Sequence, residues 1–150
     1  MGTVTYSDSR VAGFINDRLI PVQLLFDAEP YASKYNVKWT PTILVLDEEG
    51  KEHHRIVGFL APEDFIPGLL LGIAKMNFDR DRLDEALSDL DAILRTYPAS
   101  PAAPEATYLK GVVQYKKTHQ AEQLKRALEQ LKREYPGSEW AKRAMPYELL

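Results

Sequence analysis

Apolar residues at Val11, Phe14, Ile15 and Leu19 recur at the spacing of a helix, and Ser7 or Asp8 stands ahead of them as an N-cap. The pattern predicts an opening helix with one stripe turned to a core. It then changes: Ile20 to Phe26 is a nearly continuous apolar run with Pro21 at its start, the pattern of a strand buried on both faces as in a parallel sheet. Asp27 to Asn36 predicts a short helix, with Pro30 near its first turn and Asn36 as a left-handed stop. Thr42 to Leu46 and Glu52 to Val57 flank the turn Asp47-Glu48-Glu49-Gly50, which predicts a β-hairpin with Gly50 at positive φ. Pro62 opens a further helix. Inside it Pro67-Gly68 predicts a kink or a restart, because proline withholds a donor and crowds the preceding turn.

From about residue 69 the chain reads as helix after helix, and it resembles itself at an offset of 38 residues. Tyr97-Pro98 falls on Tyr135-Pro136, Ser100 on Ser138, Ala103 on Ala141, Leu90 on Leu128 and Ile93 on Leu131, while Leu70-x-Gly72 falls on Leu109-x-Gly111 at an offset of 39. Leu83, Ala86, Leu87, Leu90 and Ile93 form one apolar stripe, and Leu124, Ala127, Leu128, Leu131 and Tyr135 form its counterpart. Paired antiparallel helices follow, each pair ending at its Tyr-Pro, where the residue before proline is pushed out of helical conformation.

Composition adds bounds. Hydrophobic residues at 45% and charged residues at 27% place the chain among ordinary globular proteins. A length of 150 residues allows one domain or two small modules that dock together. Lys and Arg total 19 against 22 Asp and Glu, and a net charge of -3 with no basic stripe argues against nucleic acid. The longest apolar stretch, around Leu69-Leu70-Leu71, is too short for a membrane span. Met1 to Tyr6 lacks the charged and apolar regions of a signal peptide, and Tyr6 stands where a myristoylation motif has Ser or Thr. The chain as written therefore defaults to the cytoplasm. It has no cysteine, so it can form no disulfide, no thiolate nucleophile and no cysteine metal site.

Three features of the first half resemble the thioredoxin superfamily: Trp39-Thr40-Pro41-Thr42 ahead of an apolar strand, the hairpin with its Asp-x-x-Gly turn, and Gly58-Phe59 leading into a final helix. The resemblance covers roughly residues 1 to 78. It implies a cis Thr40-Pro41 bond, and a loop at Trp39, Thr40 and Pro41 whose backbone pairs with an extended peptide. The family's opening strand, helix, central strand and Cys-x-x-Cys have no counterpart ahead of the first helix. Met1 to Asp8 resembles the stretch that follows the second cysteine, which makes Met1 read as an internal methionine. In such folds the central strand lies between those at 20 to 26 and 42 to 46. These two must then pair directly, recruit a strand from another chain, or leave open edges, and a homo-oligomer through the incomplete sheet is the expectation.

The second half resembles the tetratricopeptide family, with small residues at close helix crossings (Gly72, Ala86, Gly111, Ala127) and a Tyr-Pro-x-Ser closing each unit. The repeat exceeds the family's usual length of about 34, and the extra residues fall to the turn Asp79 to Arg82 and the Pro101 to Pro104 segment. About two units fit. The tail from Ser138 to Met145 starts a third pair that Pro146 cuts short, and the helix near Pro62 serves both halves. The expected fold is α/β plus all-α: an incomplete thioredoxin-like α/β sandwich over 1–78, then TPR-like antiparallel helix pairs over 69–150 that share the helix around 62–78.

Candidate sites are few. Trp39 reads either as a peptide-contacting aromatic or as a half-buried ring packed on the first helix. Tyr108, Lys110, Tyr115, Lys116 and Lys117 read either as a groove for a partner's acidic tail or as a solvated, packed helix face. His53 and His54 are neighbours on a strand, point to opposite faces and cannot share a metal, so they read as residues of a solvated strand. Asp79, Asp81, Asp84 and Glu85 suit a helix start and lack the glycine and spacing of a calcium loop. No phosphate loop, catalytic triad or carboxylate pair stands out, so no catalytic residue, metal or cofactor is expected. The expected function is a non-catalytic module for a protein or peptide partner. The alternative is the C-terminal part of a thiol-disulfide oxidoreductase or redox-linked chaperone whose Cys-x-x-Cys lies upstream of Met1.

Overall fold

The computed structural model describes residues 1–150. Helix α1 (Ser9–Arg18) begins at Asp8, whose carboxylate accepts from the Arg10 amide at 2.9 Å, and buries Val11 with Phe14, Ile15 and Leu19 packed around it. The expected strand at 20 to 26 does not form. Ile20, Val22, Leu25 and Phe26 are 91%, 75%, 79% and 67% exposed, and the segment has no regular structure. A run of this kind becomes a strand only when another strand pairs with its backbone and its faces are covered. No strand lies beside it here. Within one chain the runs at 20 to 26 and 42 to 46 do not pair directly, and Ile20 to Phe26 is exposed apolar chain.

Helix α2 is a single turn, Tyr31–Lys34, and Asn36 follows it at φ 48°. Strands β1 (Thr42–Leu46) and β2 (Glu52–Val57) form a two-stranded antiparallel sheet, with Thr42 opposite Val57, Leu44 opposite Arg55 and an irregularity between Val45 and Leu46. Gly50 sits at φ 77° in the turn, where Asp47 Oδ1 accepts from the Glu49 and Lys51 amides. The Tyr35 hydroxyl donates to the Gly50 carbonyl at 2.9 Å and the Arg55 guanidinium to the Tyr35 carbonyl at 2.5 Å, so the chain after α2 is tied to the hairpin.

Helix α3 (Pro62–Asp79) runs on without a restart through Pro67-Gly68, where the sequence suggested a kink or a restart. Pro67 is fully buried, and that packing offsets the lost hydrogen bond. Gly72 does not mark a helix crossing. A Cβ there would lie 2.7 Å from Val45 Cγ2 and 3.0 Å from His54 Cβ, so the glycine lets α3 settle directly on the hairpin. The other side of α3 packs on α4 (Leu83–Thr96), α4 on α5 (Ala103–Thr118), and α5 on α6 (Glu122–Glu134). Lys110 pairs with Asp91 and Lys116 with Asp81, so numbers rise along α5 as they fall along α4 and the two are antiparallel. Both α4 and α6 end just before their Tyr-Pro, and the Tyr135 hydroxyl donates to the Pro98 carbonyl at 2.8 Å. Ser138 caps α7 (Glu139–Ala144), which ends in a 3₁₀ turn over Met145–Leu149.

One core runs through both halves: Val11, Val45, Phe65, Leu69, Leu90, Ile93, Ala106 and Val113 belong to it, and Leu128, Leu131, Ala141 and Ala144 form a smaller one. No helix is long and apolar enough to cross a membrane.

Candidate peptide-binding edge

The Thr40-Pro41 bond is cis, and the Pro41 carbonyl accepts from the Gly58 amide at 2.8 Å, one step beyond the β-ladder. In an antiparallel pair, alternate residues direct both backbone groups to the partner. With Pro41 facing β2, Ile43 and Val45 face it too. The N–H and C=O of Thr42 and Leu44 then project from the opposite edge, where the two-stranded sheet has no further member. Trp39, just ahead of this edge, is 68% exposed, and its carbonyl accepts from the Thr42 hydroxyl at 2.6 Å, which pins the loop to the strand. Val57, opposite Thr42, and Phe59 are more than half exposed as well. The site is thus an open backbone edge with apolar side chains at one end, and Thr40 is exposed beside them.

The α5 residues lie elsewhere. Tyr108 lies between a tilted Trp140 ring and a stacked Tyr147 ring, at centroid distances of 5.1 and 5.7 Å, and the Tyr147 hydroxyl donates to its oxygen at 2.8 Å. Burial, then this hydrogen bond, pushes the Tyr147 hydroxyl above the usual phenol range. Lys110 pairs with Asp91 at 2.7 Å, Lys116 with Asp81 at 2.9 Å while lying over the Phe78 ring, and Lys117 with Asp84; Tyr115 is partly exposed. These lysines are engaged with α4 and its preceding turn.

The histidines require a correction, because neither belongs to a solvated strand. The His53 side chain is 1% exposed, with Nε2 2.9 Å from Asp47 Oδ2 and Nδ1 2.6 Å from Asp79 Oδ2, so the ring locks the hairpin turn to the end of α3. The His53 hydrogen bond, with backbone amides of the turn, holds the Asp47 carboxyl well below the usual range, at about 2. Arg80 extends the cluster to Glu48 at 2.5 Å. Both His53 nitrogens are occupied, and no set of three His, Asp or Glu side chains is arranged to hold a metal. The Asp47–His53 contact across the hairpin was accessible from strand register, whereas Asp79 arrives only through the tertiary fold.

His54, on the other face, packs under α3 against Gly72. Burial, with the Lys75 ammonium 3.3 Å from Nδ1, lowers its pKa to about 4. An unfolded chain takes up this proton near pH 6.5 and the folded one only near 4, so stability is complete above about 6.5 and falls between 6.5 and 4. The Asp47 pKa is lowered as well, from the ordinary carboxylate range, so its contribution holds above about 4 and is lost toward pH 2. The melting temperature should therefore decline in two acid steps. His54→Gln should remove the upper step and spare the lower one; an unchanged upper step in that variant would exclude His54 as its cause.

Residues 5–70 match the model of a family described as a thioredoxin-like domain, a span that runs from ahead of α1 into α3 and contains the cis-proline loop and the hairpin. No curated protein and no solved structure matches the chain. Residues 5–70 are thus thioredoxin-like, and the helical region that follows is consistent with helical repeats.

Proposed function

We propose that the chain is a non-catalytic protein-interaction module that takes an extended peptide onto the free edge of β1. The observation that carries this reading is the pair of unpartnered backbone positions, Thr42 and Leu44, beside the exposed ring of Trp39. Main-chain hydrogen bonds to such an edge supply affinity, and side-chain contacts at its end supply selectivity. Without cysteine the thioredoxin-like span keeps a binding surface and has no thiol to react. Helices α3 to α7, read as short tetratricopeptide-like pairs, hold the hairpin through α3. The domain division of the sequence, 1–78 and 69–150 with a shared helix, belongs to this reading.

Selection of peptides from a random display library on the intact chain tests the proposal. Bound peptides should lose tenfold or more in affinity against Trp39→Ala, about 1.4 kcal/mol or more at a contact residue, and should bind Lys116→Ala normally. Equal binding to Trp39→Ala, or loss with Lys116→Ala instead, would move the site to α5. The chain should also show no dithiol-dependent insulin reduction.

The thioredoxin-like match over residues 5–70 also favours a second reading, in which this chain is the C-terminal part of a thiol-disulfide oxidoreductase. A Cys-x-x-Cys encoded in frame shortly before Met1 supports that reading. An in-frame stop there removes it.

A further inference from the structure

The same chain that leaves β1 open also carries an exposed apolar segment, Ile20 to Phe26, with no strand beside it. Ile20 to Leu24 take part in no hydrogen bond, and in the rest of the segment only the Leu25 carbonyl is used, accepting from Ala28. Five of its seven residues are large, apolar and more than half exposed, and none is charged. Left in water, such side chains favour association, and such backbone groups are satisfied without loss when a second strand edge supplies the partners. β1, Thr-Ile-Leu-Val-Leu, is uncharged as well.

We infer that two copies of this chain exchange these segments, Ile20–Phe26 of each pairing with the Thr42–Leu46 edge of the other. The inference rests on the proposed reading of β1 as a strand acceptor and names its occupant. Three observations favour a second copy over an unrelated partner. Donor and acceptor are both present in one sequence, so a two-fold arrangement satisfies both edges at once and closes the assembly. Neither element brings charge, so the chain's net charge of -3 does not oppose contact at this place. The area is also sufficient. Phe26, Trp39 and Phe59, exposed at 67%, 68% and 58%, offer roughly 300–500 Å² per chain at ~150–250 Å² for a whole aromatic side chain. Ile20, Val22, Leu24, Leu25 and Val57 bring the total near the ~800 Å² per partner of a standard interface.

Within one chain the segment does not pair with the edge. Its start is fixed by α1, whose Leu19 amide donates to Ile15 and whose stripe lies in the core, and its end by α2 and the Tyr35 contacts with the hairpin. The irregular segment between these anchors is exposed.

Light scattering on the intact chain at tens of micromolar tests the exchange. The expected mass is twice the 17.1 kDa of one chain. Leu24→Lys, at a position 52% exposed and outside the core, should give a folded monomer that still melts cooperatively, below the wild-type dimer and without its concentration dependence. A synthetic peptide spanning Leu19 to Asp27 should bind that monomer, and Trp39→Ala should weaken its binding. A monomeric wild-type chain, or a dimer that persists unchanged in Leu24→Lys, overturns the exchange. If the wild-type chain is monomeric yet library-selected peptides still require Trp39, exchange fails while the peptide-edge reading stands. If neither the Leu19–Asp27 peptide nor selected peptides use the edge, both fail.

Discussion

Asp89→Ala should destabilise the protein by about 2–3 kcal/mol, the loss expected when a buried carboxylate that accepts charged and neutral hydrogen bonds is removed. Asp89 is 7% exposed at its side chain, yet it lies on α4 and holds two other helices: the Arg18 guanidinium of α1 donates to it at 2.7 Å and the Asn77 amide of α3 at 3.0 Å. Truncation leaves the Asn77 amide buried without a partner, whereas Arg18, 44% exposed, turns back to water. The cost therefore falls below the ~3–5 kcal/mol of breaking a fully buried ion pair. Total stability for domains is about 5–15 kcal/mol, so this is a large fraction, and at 2–4 °C per kcal/mol the melting temperature should drop by roughly 5–10 °C. Arg18→Ala should cost less than Asp89→Ala. Equal costs, or an effect no larger than that of a surface substitution, would show that the three-helix junction does not hold α1 in place.

Gly111→Ala should be nearly as damaging, because it forces α5 and α6 apart. A Cβ at Gly111 would overlap that of Ala127 and stand 3.2 Å from the Gln123 carbonyl, and backbone cannot yield as a flexible side-chain tip does. Overpacking of this kind costs about 1–3 kcal/mol. The close contact also predicts rescue: Ala127→Gly makes room for the new methyl, so the double variant should be more stable than the sum of the single effects allows. Urea denaturation of the four proteins measures this coupling. Strict additivity would mean that the two helices part without resistance. In either case binding at β1 should be unaffected, since the crossing lies on the far side of α4.

Local signals proved legible wherever the elements involved close on themselves. The hairpin falls on the residues its pattern marks, the cap at Asp8 and the left-handed Asn36 are in place, and Thr40-Pro41 is cis as the resemblance implied. Both Tyr-Pro corners end helices. The errors share one cause, dependence on a partner distant in sequence. Ile20 to Phe26 has the composition of a buried strand, but pattern specifies only what a segment would do beside neighbours that are missing. His53 looked solvated because alternation assigns a face and says nothing of Asp79, which α3 delivers from 26 residues away. Gly72 looked like a helix crossing because a small residue marks close approach without naming what approaches. Arg18, Asn77 and Asp89 left no local trace either, since each is an ordinary helix residue until three helices converge.

Of the candidate positions, Trp39, Thr40 and Pro41 came from the family resemblance, and their open surroundings came only from the sheet topology. The periodicity of β1 cannot tell a central strand from an edge strand.

The most direct test of the open edge is backbone amide exchange along β1, followed residue by residue with and without a selected peptide at saturation. Ile43 and Val45 should be protected in the free protein through their bonds to β2, and should change little. In the Leu24→Lys monomer, whose edge no second copy fills, Thr42 and Leu44 should exchange readily when free and become protected when the peptide is bound, giving an alternating response along one strand. Protection of Thr42 and Leu44 that does not change on binding, or new protection appearing on α5 instead, would contradict the role assigned to this edge.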